Sequence, residues 1–253
     1  MQFVDAHVHL LGKKIFSQWD VLSNHWVELA VTSIVHMSST LIESEKALNL
    51  FKEEKNIFIG VGKHPWKIKN VNEHEQTKFE DLIANPHCKV IGEVGLDYYA
   101  IKKTDRYEYQ KEWFKFFIEM CNKYKKPLNI HVTGAEHDIY KFLVKYWNKK
   151  ANVNVHWYSG SSDIFDGLVD LGCFFSINPA VYYSKNHIEI VTKIPEDRIL
   201  TESDGDVFYK PINQLGEPSI IPKVIDRICE INNFDKIEIC NNILLNFENY
   251  LHK

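Results

Sequence analysis

Asp5-Ala6-His7-Val8-His9 closes the first apolar run of the chain. Side chains of a strand alternate between its two faces, so His7 and His9 point one way and Ala6 and Val8 the other. Two imidazoles side by side form a seat for one divalent metal, and Asp5 shares their parity. A lone His-x-His serves equally well as a hydrogen-bonded core pair. The rest of the chain tips the balance, because a histidine or carboxylate ends one apolar run after another: His36, His64, Glu93, His131, His156, then Glu202 with Asp204.

The runs that must position these residues are short and rich in β-branched side chains. They fall at 3–6, 32–37, 57–61, 90–93, 128–131, 153–156, 173–177 and 199–202. Longer amphipathic stretches separate them. Over 105–124, Tyr109, Trp113, Phe116, Phe117 and Met120 recur at helical spacing, as the face of a helix packed on a sheet, and 41–51 and 163–171 behave alike. The final helices lie within 222–250. Strands alternating with helices imply crossover connections and a parallel sheet. Eight strands in 253 residues favour a closed (β/α)8 barrel of the TIM type, in the α/β class, over an open doubly wound sheet. No Pro/Gly/Ser-rich linker or repeat divides the chain, so 1–253 reads as a single domain. In such a barrel the carboxyl ends of the strands meet at one rim, where active groups gather.

Composition narrows the function classes. Charged residues make up 25% and the formal net charge is -4, so the bulk charge does not point to nucleic acid or a membrane. Binding a polyanion would take a local basic patch. The five cysteines are scattered and odd in number, which fits reduced thiols in a cytoplasmic protein and argues against a cysteine-based zinc site. The first apolar run, broken by Asp5, His7 and His9, does not read as a signal peptide. No run approaches the ~18 apolar residues that span a membrane.

Several imidazoles and carboxylates buried together are costly unless all are paired, and a metal cluster resolves that cost. Nitrogen and oxygen donors without thiolates suit zinc or manganese first, with magnesium or iron as alternatives. A carboxylate between two groups of imidazoles can bridge two metals. Such a pair lowers the pKa of a bound water to ~7, which is hydrolytic chemistry.

Six motifs then occur in order: Asp5-x-His7-x-His9, Gly62-Lys63-His64-Pro65, Gly92-Glu93-Val94-Gly95-Leu96-Asp97, Ile130-His131, His156-Trp157-Tyr158-Ser159-Gly160 and Thr201-Glu202-Ser203-Asp204. Together they resemble the TatD family of metal-dependent deoxyribonucleases, within the amidohydrolase superfamily. Gln110 with Phe114, Glu217-Pro218, and Asn242 with Phe247 match further signposts, so the resemblance covers essentially the whole chain. It implies that His7 and His9 bind one metal together with Asp204. His131 and His156 would bind a second, with Glu93 bridging. Asp204 would also take the proton of the attacking water, and His64 would contact substrate or phosphate over the site. Asp5 is expected to orient a histidine rather than bind metal, and Asp97 and Glu202 are further carboxylates in supporting roles. His36 lies off the pattern and reads as a satisfied strand-end histidine. Gly95 and Gly160 would let substrate approach the backbone.

Three departures from the family bear on substrate. Thr133 stands where an arginine is usual, Gly205-Asp206 replaces the usual Ala/Ser-Pro, and Gly216 precedes Glu217 in place of asparagine. Arginines are scarce, but Lys63, Lys67, Lys69, Lys102, Lys103 and Arg106 cluster in the loops after the third and fourth strands. Trp66, Tyr98, Tyr99, Trp157 and Tyr158 lie beside site motifs and are placed to stack on bases. The leading expectation is a DNase, a phosphodiesterase working 3′–5′ on single-stranded ends, with a binuclear centre and a metal-activated water. A small-molecule amidohydrolase or esterase on the same core is the alternative, and a non-catalytic metal-holding scaffold a third. DNA is the expected partner, with no membrane, no obligate protein partner and a monomeric chain.

Overall fold

The computed structural model describes residues 1–101 and 106–252. Eight parallel strands run in the order β1 to β8: Phe3–Val8, Val31–Met37, Ile57–Val61, Cys88–Asp97, Leu128–Thr133, Val153–His156, Phe174–Ile177 and Ile199–Thr201. Each coincides with one of the eight apolar runs. Side-chain and loop hydrogen bonds draw β1 and β8 together: Thr201 Oγ1 donates to the Val4 carbonyl at 2.7 Å, and the Asp204 N–H to the His7 carbonyl at 3.0 Å. The sheet is thus a (β/α)8 barrel.

The outer layer is built by helices with local start signals. These are α1 (Lys13–Phe16), α2 (Trp19–Glu28), α3 (Leu41–Leu50), α4 (Glu73–Ala84), α5 (Arg106–Tyr124), α6 (Glu136–Tyr146), α7 (Ser162–Asp170), α8 (Lys185–Val191), α9 (Ile221–Asn232) and α10 (Lys236–Leu251). Thr40 caps α3 by accepting the Glu43 N–H at 3.2 Å, and Asp235 caps α10 by accepting two N–H groups at 2.9 Å. The aromatic stripe of α5 packs as expected: Trp113 stacks with Phe117 at 5.7 Å and meets Phe79 of α4 edge-on at 5.6 Å. The expected start of that helix at Asp105 lies outside the described residues.

β4 runs four residues beyond the expected end at Glu93. Its continuation pairs with β5, and Gly95 makes this possible at φ +145°, where a Cβ would stand 2.0 Å from the His131 carbonyl oxygen. Gly95 therefore serves the close packing of two strands instead of an approach by substrate. Gly160 is likewise filled by neighbours, with Glu136 and Tyr158 against it. After β8, a hairpin of β9 (Phe208–Tyr209) and β10 (Gln214–Leu215) folds back over the rim. No helix among the described residues is long and apolar enough to cross a membrane.

Candidate metal centre

Strand alternation brings the strand-end residues to one place. His7 and His9 come from β1 and its end, Glu93 from β4, His131 from β5, His156 from β6, and Asp204 from just beyond β8. Glu93 sits at the middle, almost wholly buried, and its two oxygens face different imidazoles. Oε1 lies 2.9 Å from His131 Nδ1, 2.9 Å from His156 Nε2 and 3.2 Å from His64 Nε2. Oε2 lies 3.2 Å from His9 Nε2 and 3.7 Å from His7 Nε2. Asp204 Oδ1 joins the latter group, 3.6 Å from His7 Nε2 and 3.9 Å from His9 Nε2. Donor atoms of His7, His9 and Asp204 fall within 4.8 Å of one another, as do those of His64, Glu93 and His131.

His64 thus does two things. Its Nδ1 accepts the Trp66 N–H at 3.1 Å and shapes the turn, while its Nε2 faces Glu93. His36 behaves as expected of a core histidine: Nδ1 accepts the Leu10 N–H at 3.1 Å, and burial lowers its pKa to about 3.

The imidazoles are held from behind. His7 Nδ1 pairs with the Asn129 amide oxygen at 2.8 Å and His9 Nδ1 with the Met37 carbonyl at 2.9 Å. His131 Nε2 lies 3.1 Å from Asp97 Oδ2, which also accepts the Trp66 indole N–H at 2.6 Å. His156 Nδ1 stands 3.5 Å from Glu202 Oε1; Ser176, Asn178 and the Trp157 N–H bind that carboxylate. Asp5 reaches His7 through the main chain only: Oδ1 accepts the His7 and Ser203 N–H groups, each at 3.1 Å. It therefore fixes the path of β1, and Asn129 orients the ring. Asn129 escaped the sequence reading, although it shares a strand face with His131 two positions on.

Electrostatics follow from crowding. Burial alone would raise the Glu93 carboxyl, yet His64 and His156 hold it well below the usual range. Burial pushes Asp204 up to about 7 and keeps His7 well below the ordinary histidine value. His156 is raised well above that value: burial opposes its charge, and Glu202 and Glu93 outweigh burial. Among the described residues no thiolate, lysine or arginine contacts this buried group of imidazoles and carboxylates, and its donor chemistry fits a divalent cation.

Above the cluster opens a cavity of about 580 Å³, walled by Trp66, Lys67, Thr133, Trp157, Ser159 and Asp206 among others. The basic patch expected there is thinner than its sequence. Lys63 is buried, paired with Glu75 at 2.6 Å and laid over the Trp113 ring. Arg106 is spent on the Ile68 and Trp66 carbonyls, each at 2.9 Å. Lys67 and Lys69 are exposed, and Lys102 and Lys103 lie outside the described residues. Of the expected stacking aromatics, Trp66 and Trp157 reach the cavity. Tyr158 is core, its hydroxyl donating to the Ser161 carbonyl at 2.8 Å.

A parallel barrel with histidines and carboxylates converging at its carboxyl-end rim has the architecture of a metal-dependent hydrolase. Comparison with known proteins agrees. The profile of the family described as TatD related DNase matches residues 4–252. An uncharacterized metal-dependent hydrolase of Methanocaldococcus jannaschii is 27% identical over 94% of this chain and 92% of its own length. A 3′-5′ ssDNA/RNA exonuclease TatD of Escherichia fergusonii is 22% identical over 89% of this chain and 90% of its own. The crystal structure of a TatD homologue from Escherichia coli K12 superposes with a TM-score of 0.89 at 18% identity, covering 99% of this chain and 98% of that one. The chain belongs to the TatD-related DNase family.

Proposed function

We propose that this chain is a 3′–5′ exonuclease that hydrolyses phosphodiesters at single-stranded DNA ends with two divalent cations, zinc or manganese before magnesium or iron. The observation that carries the proposal is the division of Glu93: Oε2 faces His7 and His9, and Oε1 faces His131, His156 and His64. Such a division would let Glu93 bridge two cations. His7, His9 and Asp204 would hold one cation, and His131 and His156 the other. Bound there, the cations supply Lewis acidity and a water acidic enough to attack at neutral pH.

The chain's own residues do the rest. Asp204 Oδ1, beside His7 and His9, accepts the proton of the attacking water; burial tunes its carboxyl toward neutrality. His64 lines the cavity beside Glu93 and would contact substrate or phosphate there. Trp66 and Trp157 offer ring faces to bases. The free cysteines fit a reducing, cytoplasmic setting, and we read 1–253 as one domain acting as a monomer.

The test is an assay of labelled single-stranded DNA beside an ester and amide panel, with zinc, manganese and magnesium added separately. Metal-dependent shortening from the 3′ end is the expected result. Turnover of the panel with no DNA cleavage under any metal overturns the nuclease reading in favour of a small-molecule amidohydrolase.

A further inference from the structure

The cavity over the metal centre is unevenly charged. Strand order around the closed barrel sets the loops after β8, β1 and β2 side by side, and this arc brings Asp206 and Glu43 to the cavity wall. The loop after β3 contributes Lys67 and Trp66 instead. Neither carboxylate is a loose surface group. Asp206 Oδ2 accepts the Lys14 N–H at 3.3 Å, and Lys14 Nζ donates to the Asp206 main-chain carbonyl at 3.0 Å. Gly12 makes room for that contact, since a Cβ there would stand 2.6 Å from Asp206 Cγ. Glu43 Oε2 accepts the Ser39 N–H at 2.8 Å. Among the described residues, each carboxylate keeps its second oxygen free of hydrogen bonds.

A carboxylate on the cavity wall accepts a hydrogen bond from a hydroxyl and repels a phosphate, an effect that solvent and the nearby Lys14 ammonium moderate. We propose that Asp206, with Glu43, selects the end of a strand that carries a free 3′-hydroxyl and rejects one that carries a 3′-phosphate. The terminal nucleoside then lies on the Asp206 side of Glu93, and the anionic chain leaves over Lys67. The inference rests on the nuclease reading.

Matched single-stranded oligonucleotides ending in a 3′-hydroxyl or a 3′-phosphate test it, with wild type, Asp206→Asn and Glu43→Gln. Both amides keep an oxygen to accept the Lys14 or Ser39 N–H, so the loops stay capped. Wild type should favour the hydroxyl end by roughly tenfold or more in kcat/KM. Asp206→Asn should shrink that preference severalfold, mainly by speeding the phosphate-ended substrate, and Glu43→Gln should do so to a smaller degree. Equal wild-type rates on the two ends overturn the inference and leave the nuclease reading standing. A wild-type preference unchanged in Asp206→Asn also overturns it. Cleavage of neither oligonucleotide removes the nuclease reading itself, and the selectivity with it.

Discussion

The two sides of Glu93 are built from the same residue types but are backed differently. On the Oε2 side the partners behind the imidazoles are neutral: the Asn129 amide oxygen 2.8 Å from His7 and the Met37 carbonyl 2.9 Å from His9. On the Oε1 side they are carboxylates: Asp97 is 3.1 Å from His131, and Glu202 is 3.5 Å from His156. Either partner fixes the ring and its tautomer, but a carboxylate also makes the imidazole a stronger donor. The charge balance does not follow this division, because against burial Glu93 and Asp204 raise the His9 pKa to about 9 on the neutral-backed side, and burial lowers that of His64 on the other. Burial dominates at His7 and keeps it neutral, whereas at His156 Glu202 and Glu93 overcome burial. Were two cations held as proposed, the carboxylate-backed seat would retain its cation more tightly. The neutral-backed seat, with Asp204, would then be the one open to exchange and chemistry.

Removing the axis between the two seats has the largest expected effect. Glu93→Ala should lower turnover by at least about 10³-fold and release metal from both seats. Steady-state rates with elemental analysis check this, and full metal content with full turnover would dismiss the bridging role. Asp204→Asn comes next, at roughly 10²- to 10⁴-fold in turnover, with the carboxylate-backed cation retained. Its pH profile sharpens the point. A base must be deprotonated to act, so wild-type activity falls as pH drops below the Asp204 pKa. Burial sets that pKa at about 7 and a bound cation draws it lower. The acidic limb should vanish in the variant.

Exchanging the backing residues tests the asymmetry directly. Asp97→Asn should weaken retention in the carboxylate-backed seat by roughly 10- to 100-fold, read by titration with a chelator. Asn129→Asp should move the other seat in the opposite direction. A variant pair that leaves both chelator midpoints unchanged removes the distinction between the seats.

Much of this arrangement was legible in the sequence because alternation is a strong constraint. A polar residue at every second position of an otherwise apolar strand has one plausible place, the inside of the barrel. His7 and His9 announced themselves in that way; Glu93, His131 and His156 ended apolar runs, and Asp204, just beyond β8, followed the last of them. The same rule applied one step further down β5 and β7 would have found Asn129 and Ser176, whose side chains hold His7 and Glu202. What the pattern could not show was competition for partners. Lys63 and Arg106 have the charge and position of phosphate ligands, but Glu75 and the loop carbonyls take them first. Tyr158 was lost to the core for a similar reason. It follows a site histidine, and its ring turns toward Phe165 and Phe175. Partner choice is set in three dimensions, and no spacing encodes it.

The smallest effect comes from a buried histidine backed, like His9, by a main-chain carbonyl. His187 of α8 lies in the core; Nδ1 is 3.3 Å from the Tyr158 carbonyl and Nε2 has no partner. Burial lowers its pKa to about 4. Below about pH 6.5 the unfolded chain takes up this proton and the folded chain does not, so stability falls as pH drops from there to about 4. The difference corresponds to about 3 kcal/mol over that window. Denaturant unfolding of wild type and His187→Leu at pH 7 and pH 5 should show a shallower acid loss in the variant, by about 2 kcal/mol. An identical slope in both proteins would mean that His187 is protonated in the fold despite its surroundings. Burial would then be too weak to keep His7 neutral as well.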